Sequence, residues 1–496
     1  MTTREYWVEK AAGLNFRRQA FINGRFVDAL SGKKFENINP ATAKVLTQVA
    51  ECDEADVNEA VKAARAAFEA GHWASMHPAK RGRILMKLAD LVRENREELA
   101  LLETLDMGKP ISDAMAIDIP GCARCLHWYG EAADKLMDEI APTDPSALAM
   151  VTREPLGVIG IVVPWNFPLL MACWKIGPAL AAGNSIVIKP AEQSPLSVLR
   201  LAELAQEAGV PDGVFNVVPG FGETAGRALG LHMDVDMIAF TGSTEVGKYF
   251  MQYAGQSNLK RVSLECGGKS PHIVMGDCPD LDAAASAAAG AIFFNQGEVC
   301  TAGSRLLLDR AIKDEFMDKL MTAAGKQVVG DPLDPATTLG ALVEEKHLER
   351  VLGYIDRARE EGAELKLGGT RPADREGYFV DPTIFDNVTP DMTVAREEIF
   401  GPVLSVMTFE GEEEAVRIAN DTIYGLAAGI WCRDISRAHR MARAVRAGTV
   451  WVNCWDPTGD MTIPFGGFKQ SGFGRDKSLH ALEKYTDLKT TWVQLS

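Results

Sequence analysis

From Gly157 onward the chain alternates short β-rich runs with helical stretches, and this alternation constrains its fold more than any other feature. The runs are Val158 to Val163, Ser185 to Ile188, Val214 to Val218 and Met237 to Phe240. Strands separated by helices pair in parallel, with the helices as crossovers on the sheet faces. One crossover reads as a helix with Ser194 as N-cap, Pro195 at the first helical position, and Val198, Leu201, Ala202 and Ala205 on one face. The expected class is α/β, beginning with a Rossmann-like domain. A second alternating region starts near Arg261-Val262-Ser263-Leu264. Its later runs, Leu404 to Phe409, Gly429 to Cys432 and Thr449 to Val452, predict another mostly parallel sheet.

At 496 residues the chain exceeds what one core usually supports, so two large domains are expected. Hydrophobic residues at 47% and charged residues at 24% describe a globular chain and exclude wholesale disorder. The 52 basic and 68 acidic side chains leave a net charge of −16, and no dense Lys/Arg run offsets it, which argues against nucleic acid as a partner. Met1 to Trp7 lacks the apolar segment of a secretory signal. The most apolar stretches, Pro155 to Trp165 and Ala283 to Phe294, fall short of the ~20 residues needed to span a bilayer. A cytoplasmic protein with no membrane partner is expected. Nine cysteines scattered from Cys52 to Cys454 do not resemble a secreted disulfide framework. Cys122-Ala123-Arg124-Cys125 has metal-type spacing, but no second such pair or His cluster accompanies it, so it reads as part of a helix and no metal is expected. Asp53 to Gly71 is a scaffold helix with Val57, Ala60, Val61 and Ala64 on one face.

Three strings carry chemistry. Cys300 lies in Asn295-Gln296-Gly297-Glu298-Val299-Cys300-Thr301-Ala302-Gly303; the others are Pro164-Trp165-Asn166-Phe167-Pro168 and Leu264-Glu265-Cys266-Gly267-Gly268. A thiol can attack a carbonyl carbon, an amide can hold the resulting oxyanion, and a carboxylate can activate water. Two glycine-rich turns that follow strands compete for a phosphate role: Gly220 to Gly226, and Thr241-Gly242-Ser243-Thr244-Glu245-Val246-Gly247. The second should open a helix, whose N-terminal amides suit an anion.

With Ile188-Lys189-Pro190-Ala191-Glu192, Glu397-Glu398-Ile399-Phe400-Gly401-Pro402 and Pro464-Phe465-Gly466-Gly467-Phe468-Lys469, these strings make the chain resemble the NAD(P)-dependent aldehyde dehydrogenase superfamily from about Phe21 to Trp492. The resemblance implies a cofactor domain over residues 1–136 and 154–262, a catalytic domain over 263–477, and a β oligomerisation flap from 137–153 and 478–496. It implies a homo-oligomer, dimer or tetramer. The bland reading of Glu139 to Arg153 and Tyr485 to Leu495 is a pair of edge strands capping the sheets. By resemblance, Cys300 forms a thiohemiacetal and then a thioester, Asn166 holds the oxyanion with the Cys300 backbone N–H, and Glu265 activates the hydrolytic water; Glu298 is the rival carboxylate. Branches that acylate coenzyme A lack a glutamate at the position of Glu265, which implies hydrolysis. Trp165, Lys189, Glu192, Gly242, Ser243, Glu398 and Phe400 are implied at the cofactor, with Gly222 as wall, and a carboxylate at the adenosine ribose favours NAD over NADP.

The substrate mouth implied by the family positions comprises Phe167, Leu170, Trp174, Trp455 and Phe465. Long stretches look most like a bacterial subgroup that oxidises γ-glutamyl-γ-aminobutyraldehyde, guanidinobutyraldehyde and related aminoaldehydes. Asp118 and Asp460 could then face a distal cation, with Trp455 as a cation–π surface, or both could be merely solvated. The loop Trp455 to Asp460 is one residue longer than the subgroup's, and Phe473 replaces its more usual asparagine. The alternatives are an enzyme for apolar aliphatic or aromatic aldehydes, and a catalytically silent structural protein on the same fold.

Overall fold

Val158–Val162 (β1), Ser185–Lys189 (β2), Phe215–Val217 (β3), Met237–Thr241 (β4) and Arg261–Glu265 (β5) form the parallel centre of one sheet, in the order β5-β4-β1-β2-β3. Successive side chains go to opposite faces: Ile159, Ile161, Ile186 and Ile188 enter one core, and Val158, Val162, Val187 and Ile238 the other. Helices cover both faces, which is why the strands read as continuous apolar runs. Antiparallel strands flank this centre, Gly472–Phe473 beside β5 and Ala20–Ile22 beside β3, with Arg25–Val27 outside the latter at the edge. The structure is a computed structural model and describes residues 2–457 and 460–495.

The second sheet contains Pro271–Val274 (β6), Arg305–Asp309 (β7), Val403–Phe409 (β8), Ala427–Trp431 (β9) and Thr449–Val452 (β10). They pair in parallel in the order β8-β7-β6-β9-β10, with Thr383–Asp386 parallel to β8 and Glu364–Leu367 antiparallel at the edge. One expectation is corrected here. The second alternating region does not start at Arg261, because that strand pairs with β4 from Met237↔Arg261 to Thr241↔Glu265 and so completes the first sheet. Residues 263–265 and 472–473, expected in the catalytic domain, are thus strands of the first sheet.

Glu54–Glu69 (α1) begins at Asp53, whose side chain accepts from the Ala55 amide, and buries Val57, Ala60, Val61 and Ala64. Pro168–Ala182 (α2), Leu196–Ala208 (α3), Thr244–Gln256 (α4) and Glu345–Glu360 (α5) are the helices that matter for the cleft. Ser194 does not cap α3: its hydroxyl donates to the Trp165 carbonyl at 3.3 Å, tying the helix entry to the turn after β1. Cys122 and Cys125 are buried on Ile119–Ala132.

Glu139–Ala141, Ala147–Pro155 and Thr486–Gln494 form a separate three-stranded antiparallel sheet and do not cap the larger sheets. Ile140, Leu488 and Trp492 stand exposed on it. Residues 478–485 stay with the first domain, where Ala481, Leu482 and Tyr485 enter its core. Among the described residues no helix is long and apolar enough to cross a membrane. Among them, no group of three or more His, Cys, Asp or Glu side chains could hold a metal ion.

Candidate active site

The order of the first sheet reverses between β1 and β4, and the loops leaving the carboxyl ends of such strands splay apart to leave a crevice. Pro164-Trp165-Asn166 leaves β1 and Thr241-Gly242-Ser243 leaves β4; Glu265 ends β5 level with Thr241. The second domain closes this crevice with Cys300, Glu398 and Phe400. The result is a cleft of about 570 Å³ lined by Trp165, Asn166, Trp174, Gly242, Ser243, Glu265, Cys300, Glu398, Phe400 and Phe465, among others.

The loop before the thiol is strained. Asn295, Gln296 and Gly297 take φ values of 49°, 58° and 73°, so two consecutive non-glycine residues occupy the left-handed region. Buried hydrogen bonds hold them there: Asn295 Nδ2 donates to the Asn166 and Glu298 carbonyls at 3.1 Å each, and Gln296 Oε1 accepts from the Gly340 amide. The paired glycines after Glu265 allow two close approaches. A Cβ at Gly267 would meet Glu398 Oε2 at 1.9 Å, and one at Gly268 would meet the Cys300 carbonyl oxygen at 2.5 Å.

Asn166 is buried and donates one Nδ2 hydrogen to the Glu298 carbonyl at 2.8 Å. A carboxamide nitrogen has two hydrogens, so that bond fixes the plane and leaves the second available to an oxyanion. Half-buried Cys300 has its thiol pushed up to about 12 by burial, with the charges of Glu398, Glu265 and Asp456 adding to the shift. Glu265 is buried and neither carboxyl oxygen has a partner within the protein. Burial pushes it up to about 8 and Asp476 adds to the rise, against Lys175, Lys484 and Arg475.

Glu298, the rival carboxylate, does not line the cleft. Its Oε1 accepts from the Val343 amide at 3.1 Å, and burial raises its pKa well above the usual range. It organises the loop through its backbone carbonyl.

A model of the aldehyde dehydrogenase family matches residues 26–491. The chain belongs to the aldehyde dehydrogenase family. This aldehyde dehydrogenase is 54% identical over 490 residues to the NADP/NAD-dependent aldehyde dehydrogenase PuuC of Escherichia coli, covering 99% of this chain and 98% of that one. Among solved structures, a gamma-glutamyl-gamma-aminobutyraldehyde dehydrogenase from Burkholderia cenocepacia is 59% identical with a TM-score of 0.98 over all of both chains. An indole-3-acetaldehyde dehydrogenase complexed with NAD+ is 58% identical with a TM-score of 0.99, again over all of both chains.

Several residues expected at the site do not line the cleft of this aldehyde dehydrogenase. Asp118 cannot face a distal cation: it is buried and ion-paired with the fully buried Lys109. Phe167 packs between the Lys109 ammonium, 4.2 Å from its ring, and Phe294. Leu170 packs toward Gly121 of the neighbouring helix. Trp455 lies flat on buried His272, with centroids 4.9 Å apart, which occupies one ring face. Asp460 is exposed and accepts from the Thr462 amide and hydroxyl at 2.8 Å each, which hold its carboxyl below the usual range. Thr458 and Gly459 of that lengthened loop lie outside the described residues. Lys189 is paired with Glu192 at 2.7 Å at the end of β2, and Gly222 opens the short helical turn Gly222–Gly226; none of the three lines the cleft.

Conversely, the cleft includes Met171, His347, Arg350, Tyr354, Tyr424 and Asp476, which carry no local motif. Asp476 is buried between the ammonium groups of Lys175 and Lys484. Burial works to raise its carboxyl, and the two cations outweigh this and hold it below the ordinary range. Replacing it with asparagine strands two buried cations, so Asp476→Asn should cost about 3–5 kcal/mol, read as a lowered urea-denaturation midpoint.

Proposed function

We propose that this chain oxidises an aldehyde to its carboxylic acid with NAD, through a covalent intermediate on Cys300. The observation that carries this reading is a single cleft holding a thiol, a half-satisfied carboxamide and an unpartnered buried carboxylate. The catalytically silent alternative gives no reason to bury a carboxylate in the cleft without a protein partner. The residues fit a dinucleotide. Ser243 caps α4 by accepting from the Val246 amide at 3.2 Å, which aims the helix start at the cleft, and the buried Thr241 hydroxyl lacks a protein partner. Gly242, Ser243, Trp165, Glu398 and Phe400 would hold the cofactor in the cleft, with Lys189 and Glu192 at the adenosine ribose. Glu192 would repel a 2′-phosphate, which favours NAD over NADP. The similar structure with bound NAD+ supports that preference, and the E. coli relative's name keeps NADP as a lesser alternative.

Cys300 Sγ adds to the carbonyl carbon and passes its proton to water as it does so, since a thiol held near 12 is protonated at neutral pH. The free hydrogen of Asn166 Nδ2 and the Cys300 backbone N–H receive the negative charge on oxygen. The bound nicotinamide supplies the hydride acceptor. Glu265 then removes a proton from water as the water oxygen attacks the thioester, and the C–S bond breaks to give the acid and a thiolate that takes the proton back from Glu265. Because Glu265 sits near 8, about one molecule in ten carries the active carboxylate at pH 7. Its basic form grows as pH rises, so the hydrolysis rate should climb from pH 6 and level above about 8. Rapid-quench measurement of acyl-enzyme decay across that range checks the profile; a flat profile removes Glu265 as base.

An aminoaldehyde such as γ-glutamyl-γ-aminobutyraldehyde or guanidinobutyraldehyde is the proposed substrate, supported by the gamma-glutamyl-gamma-aminobutyraldehyde dehydrogenase structure. An aromatic aldehyde is the second reading. It is favoured by the burial of Asp118, by the edge-to-face pair Trp174–Phe465 at 5.1 Å in the cleft, and by the equally similar indole-3-acetaldehyde dehydrogenase. Comparing kcat/KM for guanidinobutyraldehyde and indole-3-acetaldehyde decides between them; a preference of about tenfold or more for the aromatic substrate rejects the aminoaldehyde reading. A homo-oligomer formed through the three-stranded sheet is also proposed, supported by exposed Ile140, Leu488 and Trp492.

A further inference from the structure

Helix α5 presents His347, Arg350 and Tyr354 at i, i+3 and i+7, the spacing of one helical face. All three grip one short segment. Tyr354 OH donates to the Glu397 carboxylate at 2.7 Å, Arg350 Nη2 to the Glu398 carbonyl at 2.9 Å, and His347 Nε2 lies 2.7 Å from the Phe400 carbonyl oxygen. A carbonyl oxygen only accepts, so Nε2 carries the hydrogen. Phe400 has φ +61°, a left-handed conformation that costs a non-glycine residue free energy and persists only where neighbours over-determine it. The His347 and Phe400 rings both meet Trp165 edge-on at 5.3 Å, so the helix, the turn after β1 and the Phe400 segment converge.

We infer that His347 is a positioning residue: by donating from Nε2 to the Phe400 carbonyl it locks the left-handed turn that sets Glu398 and Phe400 against the cofactor side of the cleft. His347 is nine-tenths buried, and burial lowers its pKa to about 4, so the ring is neutral and keeps a single N–H for this bond. Nearby Glu298 Oε1, 3.7 Å from Nε2, is too distant to compete for that hydrogen. Glu398 is held from its other side by the Gly268 amide at 2.9 Å, so this segment connects α5 to the strand end bearing Glu265.

The inference rests on the reading of this cleft as a dinucleotide site, and a pair of variants separates the two. His347→Phe keeps an aromatic ring beside Trp165 and removes the donor; His347→Gln keeps a neutral N–H donor and removes the ring. Hydrogen exchange of residues 398–401 in cofactor-free protein, and equilibrium titration with NAD, are measured on both. In His347→Phe, exchange should accelerate and the NAD dissociation constant rise about tenfold, equivalent to about 1.4 kcal/mol. In His347→Gln both should return close to wild type. Unchanged exchange in His347→Phe, or His347→Gln as impaired as His347→Phe, overturns the proposal. Should His347→Phe not fold, His347→Leu takes its place under the same criteria. Wild-type protein that fails to bind NAD rejects the dinucleotide reading instead, while the exchange difference still decides whether the turn is locked.

Discussion

Cys300→Ala should lower aldehyde-dependent NADH formation by about 10⁴-fold or more, because without covalent addition the aldehyde carbon stays planar and has no oxyanion to expel hydride. Cys266 also lines the cleft, but its sulfur packs under the first turn of α4, where a Cβ at Gly247 would meet it at 3.0 Å, and it should not substitute. The alanine variant should still bind NAD, since neither the Ser243-capped helix start nor Glu398 depends on the thiol. NADH formation followed by absorbance, beside a fluorescence titration with NAD, checks both parts. Residual turnover above a thousandth of wild type would place the nucleophile elsewhere.

Glu265→Gln should separate the two half-reactions. Thiohemiacetal formation and hydride loss need Cys300 and Asn166, whereas thioester hydrolysis needs a base, and a general base contributes roughly 10²–10⁴-fold. Stopped-flow mixing should therefore show one NADH per active site formed rapidly, followed by a steady state slower by about 10²–10³-fold. A neutral amide resembles the protonated carboxyl that predominates at pH 7, so the burst should not slow. Absence of a burst with intact NAD binding assigns Glu265 to the first step. Intact steady-state turnover removes it from the mechanism and reopens the case for another carboxylate.

The strands were legible because each is a run of β-branched and aliphatic residues bounded by turns, and burial on both faces keeps such runs unbroken. Their parallel pairing followed from the helices between them. The end of the first domain was not legible: Arg261–Glu265 reads equally as the last strand of one sheet or the first of the next, and only its register with Met237–Thr241 assigns it. The misplaced cap at Ser194 has a similar cause: the helix begins at Leu196 with Pro195 at the cap position, which puts Ser194 one residue too early, and its hydroxyl donates to the Trp165 carbonyl.

At the cleft, local strings located Cys300, Asn166 and Glu265 because each lies in or beside a short turn whose residue types are read within a few neighbours, with glycines after Glu265 and strained residues before Cys300. His347, Arg350 and Tyr354 escaped notice because helical spacing on a polar helix looks like any solvated face until the Glu397–Phe400 segment is laid against it. Asp118 shows the reverse error: a carboxylate near the expected mouth is indistinguishable in sequence from one committed to Lys109.

By itself, the sequence determined the alternation of elements, the chemical types of the reacting groups and the family pattern, all of which are written within a few neighbouring residues. The tertiary structure alone decided which buried carboxylate of the cleft has no protein partner, which is spent on a buried lysine, and which helix face holds the cofactor side in place. Those outcomes depend on desolvation and on which partner the fold supplies, whether nine residues away as for Asp118 and Lys109 or 301 as for Asp476 and Lys175, and a one-dimensional pattern carries neither.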